Sequence, residues 1–452
     1  MSSQPYIRKN LSLAWPLALN ALLMQSMLMI DTFLVSPLGE VSLAAMGIAT
    51  TIVSFVLGIQ MALANGSQLV LSRAVGSGQH LSLNKGFWAG LIINVLVAVV
   101  FWTLITAFDK ALISKLTDNV ALYAETERYL AVAKFIITFN AITQVMIALF
   151  NALGRTKVPF KGYLIELPVN MAMSYVLIHG FAGFEGIGVQ GAAAGSLIAI
   201  TIRLLYLTLC IRWDDSIVLS IKNLDASLKA NTLNHFKEIF PVAANVTMLQ
   251  TGATIYMLLY SQLTLNAYVA MTIVMPWIKA GTQFITAWAH SSAITISQAI
   301  GSRQMDELRK NVDISIDMAV MISFVSAAFF LALSFVLPDL YPDLDPSTYV
   351  ALASIAPLYI FLPIVRGYNT VHGHVLRALG KTTEVFKINF TGQWIVSIPL
   401  CALIILHWDL SFFWAFAVMP FEEIVKALPF RHLARKSLNE FDLKKAEKLM
   451  YD

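Results

Sequence analysis

One carboxylate stands in the first long apolar stretch of the chain, at Asp31 in LSLAWPLALNALLMQSMLMIDTFLVS, residues Leu11 to Ser36. Such a stretch can cross a bilayer, for which about 20 predominantly apolar residues suffice. An aspartate at the centre of an inserted helix costs roughly 2.5 to 3.5 kcal/mol, less near the ends, so a retained one is a candidate for handling ions or substrate. Withdrawal from water disfavours the charged form of a carboxylate, which allows a proton to be taken up on one side and released on the other. Losing the charge weakens the hydrogen bonds made to it and changes which packing of its helix is favoured. Pro16, fifteen residues earlier, lacks the N–H that a helix interior needs and marks the expected bend. The alternative for Asp31 is a structural carboxylate near the outer end that reaches water or accepts fixed hydrogen bonds.

Partners for Asp31 are expected from other helices of the first half at similar depth. Asn170 and Ser174, in ELPVNMAMSYVLIHG, stand four residues apart and share a helix face. Asn170 can donate and accept, which suits a group bonding an acid in either protonation state. Asn140 and Thr32 are further candidates. For all four, plain helix-to-helix hydrogen bonding is the competing account. Glu166 is read as a structural or vestibule acid within reach of Lys161 or water.

In the second half, Lys279, His290, Arg366, Tyr368, Asn369, His372 and His374 form another polar population. Gln25, Arg366, Tyr368 and Asn369 are the candidates for a substrate cleft, with snorkelling and inter-helix bonds as the alternative. The histidines offer no i, i+4 pair and the only cysteines are Cys210 and Cys401, so neither a metal site nor a disulfide framework is expected. No nucleophile with a base and no G-x-x-x-x-G-K-[ST] loop is present, so neither an enzyme nor an ATP-driven pump is expected, and no cofactor.

The elements that must position these groups are membrane helices. Over 452 residues, 58% are hydrophobic, 13% are charged and the mean hydropathy is +0.70, which describes an all-α integral membrane protein rather than soluble domains. Long continuous apolar runs exclude a barrel. The net charge of +4 is dealt out in small groups between these runs and implies no nucleic acid. The N-terminus lacks a short apolar core with a cleavage site and reads as a retained first helix. Twelve spans are expected, at about 11–36, 41–72, 87–108, 122–152, 159–180, 187–210, 236–262, 266–298, 312–337, 347–376, 385–407 and 410–430. Alternate loops are basic, as at Arg8 and Lys9, Arg73 and Lys85, Arg155 and Lys157, and Arg303 and Arg309, while loops such as that of Asp339, Asp343 and Asp345 are not. Both termini are therefore expected on the cytoplasmic side.

The halves repeat each other. At a shift of 225, Pro16 meets Pro241, Asn20 meets Asn245, Gln25 meets Gln250, and Gly76-Ser77 meets Gly301-Ser302. At a shift of 226, NALGRTK from Asn151 meets RALGKTT from Arg377. Asp31 faces Tyr256, so the acid belongs to one half only. The expected division is a six-span lobe at 1–211, a cytoplasmic connection at 212–235, a second lobe at 236–432 and a tail at 433–452. An even number of spans per half relates the lobes by an axis along the membrane normal, with a cleft between them for substrate.

The whole chain resembles the multidrug and toxic compound extrusion (MATE) transporters. The resemblance rests on the duplicated halves, Pro16 with Asp31, GIGVQGAAAGS from Gly186 to Ser196, and the repeated ALGRT and ALGKT. Pro16 with Asp31 is similar to the DinF-like branch. Other branches often have a glutamate eight residues after the proline of the seventh span, where this chain has Leu249. Family members often have Asp or Asn where Ser174 stands, a departure that argues against charge sharing there. The resemblance implies a V-shaped, pseudo-symmetric fold that exports amphipathic, often cationic drugs or toxic organic cations against protons or sodium ions. It also implies a monomer in the plasma membrane, the inner membrane in a bacterium, with the lipid bilayer around it. A lipid-linked oligosaccharide flippase of the wider superfamily is the other substrate class, and would need a strongly cationic cleft. GIGVQG follows no strand, so close helix packing accounts for it better than a dinucleotide site.

Overall fold

The computed structural model describes residues 4–116, 119–220, 228–342 and 344–449; Asp343 and residues 221–227 of the connecting stretch lie outside them. In lipid a helix satisfies every backbone N–H and C=O within its own segment, and each apolar run is helical. The first half comprises α1 (Gln4–Val35), α2 (Glu40–Ser77), α3 (His80–Leu116), α4 (Val120–Ala152), α5 (Lys157–His179) and α6 (Val189–Arg212). A two-residue hairpin, β1 (Gly180–Phe181) with β2 (Phe184–Glu185), joins α5 to α6, with Phe181 opposite Phe184. The second half comprises α7 (Leu228–Tyr260), α8 (Leu265–Gly281), α9 (Gln283–Gly301), α10 (Met305–Leu340) and α11 (Pro346–Ala378). It continues through α12 (Thr382–Phe390), a π-helical stretch Thr391–Ser397, α13 (Ile398–Ala402) and a second π stretch Leu403–His407, then α14 (Phe412–Asn439) and α15 (Leu443–Lys448).

Among the described residues nine helices are long and apolar enough to cross a membrane. The three remaining expected spans are helical as well: α5, which carries Glu166, α14, which carries Glu422, Glu423 and Lys426, and the eighth span. That eighth span is not one helix. It breaks after Gly281, where a Cβ would come within 2.4 Å of the Phe330 ring, and Thr282 ends α8 and begins α9. The π-helical stretches flank Pro399, which has no N–H to give the carbonyl four residues back.

The repeat is visible in the helix ends. The span Gln4–Val35 recurs as Lys229–Tyr260 at the shift of 225, and Val120–Ala152 recurs as Pro346–Ala378 at the shift of 226. Even the caps correspond: Asn119 Oδ1 accepts from the Ala121 and Leu122 amides at 3.0 and 3.2 Å, and Asp345 Oδ1 accepts from the Ser347 amide at 2.9 Å.

Contacts divide the chain into two compact units, one joining residues up to Ala18 with those from Ala244, the other running from Leu19 to Ala243. The change of unit falls two residues after Pro16 in α1 and two residues after Pro241 in α7, although both helices run unbroken through their prolines. Within the first unit the Tyr6 hydroxyl lies 2.8 Å from Ser315 Oγ and 3.1 Å from Thr295 Oγ1, while Ala14 and Ala18 pack on Ala287. Its core gathers Tyr260, Phe330, Tyr359 and Phe416. Within the second unit Ser67 Oγ lies 2.8 Å from His235 Nε2, Arg73 pairs with Glu238, and Ile239 presses on Gly66, where a Cβ would stand 2.8 Å away. That unit packs α2 along α4 and α5 along α6, around Val35, Ile113, Ile137 and Ala141.

Candidate functional site

Asp31 lies near the C-terminal end of α1 and is only 6% exposed. A buried carboxylate needs donors for its oxygens, and two hydroxyls supply them. Ser174 Oγ on α5 donates to Oδ1 at 3.2 Å, and Ser196 Oγ on α6 donates to Oδ2 at 2.9 Å. Asn170 Nδ2, one turn before Ser174, donates to Ser196 Oγ at 2.9 Å, so a chain of donors runs from the amide through the hydroxyl to the acid. Asn170 Oδ1 is buried without a partner.

The glycines of α6 make this approach feasible. A Cβ on Gly195 would lie 2.3 Å from Ser174 Oγ and 2.6 Å from Ser174 N, and one on Gly191 would lie 2.5 Å from the Leu177 carbonyl. The stripe expected to pack helices closely does so, and thereby brings Ser174 and Ser196 to one carboxylate.

Of the residues expected around Asp31, the structure brings Asn170 and Ser174 to it and leaves two elsewhere. Asn140 donates to Gln60 Oε1 at 2.9 Å and accepts from Gln144 at 3.2 Å, in a network between α2 and α4. Thr32 is exposed and donates to the Leu28 carbonyl at 2.8 Å, the usual turn-back bond of a helical threonine. Adjacent residues of a helix point about 100° apart, so Thr32 does not share the face of Asp31. Glu166 does not reach Lys161; its partner is Arg203 on α6, at 2.6 Å, with both side chains buried. Arg203 also stacks over Tyr163, its Cζ 4.3 Å from the ring centroid, and reaches Thr143 at 3.4 Å. Sequence reasoning missed Ser196, which it held only as the end of a packing motif.

A second polar constellation belongs to the unit built on the second half. A cavity of about 390 Å³ there is lined by α7, α8, α11, α12 and α14. Arg366 and Asn369, three residues apart on α11, share the face turned to it, whereas Tyr368 stacks on His372 at 4.2 Å between ring centroids and does not line it. Gln25 is exposed on α1 and does not line it either. Glu422, Glu423 and Lys426 of α14 complete the cluster. Lys426 Nζ lies 2.9 Å from Glu422 and 3.3 Å from Glu423, Arg366 pairs with Glu423 at 3.3 Å, and Tyr256 donates to Glu422 at 2.7 Å. Gly392, in the first π-helical stretch, lets Lys426 pass, since a Cβ there would lie 2.6 Å from its Cγ. The signal for these charges was present in FEEIVK, an i, i+3 and i, i+4 set inside an otherwise apolar span.

The model of the MatE family matches residues 16–176 and 241–403. A protein described as the probable multidrug resistance protein NorM of Rhizobium meliloti (strain 1021) is 26% identical over 417 residues, covering 86% of this chain and 81% of that one. The uncharacterized transporter YisQ of Bacillus subtilis (strain 168) is 23% identical over 407 residues, covering 88% and 87%. Among solved structures, the Vibrio cholerae MATE transporter VcmN in the bent form matches with a TM-score of 0.85 at 16% identity, covering 99% of both chains.

Proposed function

The chain belongs to the MatE family of multidrug efflux transporters, and from that premise we propose that it is a secondary active antiporter, exporting amphipathic organic cations in exchange for protons that bind Asp31. The carrying observation is that a buried acid has both oxygens held by hydroxyl groups. A hydroxyl can donate or accept. When Asp31 is charged, Ser174 and Ser196 donate to it. When Asp31 is protonated, its own O–H becomes a donor to Ser196 Oγ, and the Ser196 hydrogen turns to Asn170 Oδ1 once that amide rotates. The bond pattern reverses without leaving the acid bare in either state.

Reversal changes how tightly the C-terminal part of α1 is held to α5 and α6. Pro16 is the point at which α1 yields, because no hydrogen bond to its nitrogen resists bending. Solved structures of the same fold described as MATE in the bent and in the straight conformation support this fold having more than one shape. Asn140 and Thr32 have no part in this reading. Pro16 and Asp31 together with Leu249 support placement in the DinF-like branch. The protein acts as a monomer in a bacterial inner membrane, with both termini on the cytoplasmic side, as the basic alternate loops require.

The test is proton release from purified protein on adding a cationic drug. Wild type is expected to release protons and Asp31→Asn to release none. Sodium-dependent drug binding with no proton release from wild type would overturn proton coupling. Full proton-driven efflux by Asp31→Asn in everted vesicles would overturn the role of Asp31.

A further inference from the structure

The cavity of about 390 Å³ is of the size that holds small organic molecules, about 300–1,000 Å³, and its charges do not balance. Lys279, Arg366, Arg377 and Lys426 line it against Glu422 and Glu423. Each carboxylate oxygen already holds a protein donor. Glu422 Oε1 accepts from Lys426 at 2.9 Å and Oε2 from Tyr256 at 2.7 Å. Glu423 Oε1 accepts from Arg366 at 3.3 Å and Oε2 from Asn369 at 2.8 Å. Among the described residues Lys279 and Arg377 form no ion pair. On two residues that line the cavity, the acceptors Asn369 Oδ1 and Gln393 Oε1 are buried without a partner, on side chains 4% and 5% exposed.

The two buried acceptors and the half-buried Arg377 each leave an electrostatic debt that a guest of the right chemistry relieves, and the exposed Lys279 adds a second cation to the lining. A cationic guest meets carboxylates whose four oxygens all hold a protein donor already, and two cations without an ion pair. We propose that this cavity is a binding site for an organic anion or zwitterion that carries an N–H or O–H donor. Its acid group meets Lys279 and Arg377, its donor meets Asn369 Oδ1 or Gln393 Oε1, and its apolar body lies on Leu249, Met257 and Met275, where methionine adapts to shape. The proposal adds a substrate class to the transport reading. Export of such a guest rests on that reading, whereas its binding does not.

The experiment titrates the full chain in detergent by calorimetry with three probes on one ring system: 3-amino-2-naphthoate, 2-naphthoate and 2-naphthyltrimethylammonium. Wild type is expected to bind 3-amino-2-naphthoate about tenfold or more tightly than the ammonium probe, with 2-naphthoate between them. Lys279 is exposed, so Lys279→Gln is expected to fold. It weakens both carboxylates about fivefold and leaves the ammonium probe unchanged, and Lys279→Arg restores the loss. Ammonium binding equal to or tighter than carboxylate binding in wild type overturns the proposal, as does carboxylate affinity unchanged in Lys279→Gln. Carboxylate binding without gradient-driven export of the same probe in everted vesicles leaves the site standing and counts against the transport reading instead.

Discussion

Tyr256 donates its hydroxyl to Glu422 Oε2 at 2.7 Å. At the repeat shifts of 225 and 226, Tyr256 stands where the first half has Asp31, and Glu422 stands where it has Ser196. The pair Asp31 and Ser196, bonded at 2.9 Å, is thus rebuilt one repeat later with acid and hydroxyl exchanged between the helices. The duplicated frame kept the contact and inverted its chemistry. The second-half acid also gained fixed neighbours, since Lys426 lies 2.9 Å from it. The second-half acid thus has a cation beside it, whereas Asp31 is bonded by neutral hydroxyls.

The two contacts should therefore respond differently to loss of the hydroxyl. Ser196→Ala is expected to lower drug-driven proton release about fivefold or more, with Ser196→Thr restoring it, because the reversible donor is lost at the acid proposed to bind the proton. Tyr256→Phe is expected to leave proton release intact and to destabilise by about 1–3 kcal/mol, the cost of a buried acceptor without its donor. Proton release per protein and the thermal midpoint in detergent, measured on both variants, separate the roles. Equal loss of proton release in the two would contradict the asymmetry.

Glu166 and Arg203, 2.6 Å apart and both buried, are expected to serve stability. Breaking one partner of a buried pair costs about 3–5 kcal/mol, while replacing both by apolar residues is often neutral. Arg203→Met should lower the thermal midpoint sharply, and Arg203→Met combined with Glu166→Leu should recover most of it. Drug efflux by the double variant at near wild-type rate would complete the case, and a stable double variant with no efflux would assign the pair to transport.

Span positions, the repeat and the singularity of Asp31 were legible because hydrophobic length and ungapped register are properties of the sequence itself. Asn170 and Ser174 were legible through their spacing on one face. Ser196 was hidden because only the approach of α6 to α5, set by Gly195 against Ser174, brings its hydroxyl to the acid. Arg203 was hidden for the same reason, since a sequence gives Glu166 its neighbours along α5 but not across to α6. Thr32 misled because adjacency along a helix is not adjacency in space. The break at Gly281 was concealed by a continuous apolar run, and the ring that stands where a Cβ would be, Phe330, belongs to another helix.

Asp345, which caps α11, gives a pH-dependent end to that helix. The Ser347 hydroxyl, and then the Ser347 amide, hold its carboxyl below the ordinary carboxylate value. A depressed folded-state value means that the cap contributes fully above the ordinary value and is lost as pH falls through the depressed one. Amide protection of Ser347, corrected for intrinsic exchange, is expected to fall across that window in wild type. Asp345→Asn should keep the cap and lose the pH dependence, as asparagine caps α4 from position 119. Unchanged acid sensitivity in that variant would place the titrating group elsewhere.

Gly195 sets how near α5 and α6 stand, and therefore whether two hydroxyls can reach Asp31. A Cβ there meets backbone as well as side chain, 2.6 Å from Ser174 N and 2.7 Å from Ser174 Cα. Backbone cannot rotate aside, so Gly195→Ala must push the helices apart. Overpacking of this kind costs about 1–3 kcal/mol. At Gly47, on α2, an added Cβ meets nothing within 4 Å, so Gly47→Ala keeps only the gain in helix propensity, about 0.5–1 kcal/mol. The thermal midpoint should fall for Gly195→Ala and hold or rise for Gly47→Ala. Separation also lengthens the bond from Ser174 to Asp31, so proton release by Gly195→Ala should drop even at temperatures where the variant is fully folded. Proton release at the wild-type level in a folded Gly195→Ala protein would show that the close approach of these helices serves packing alone.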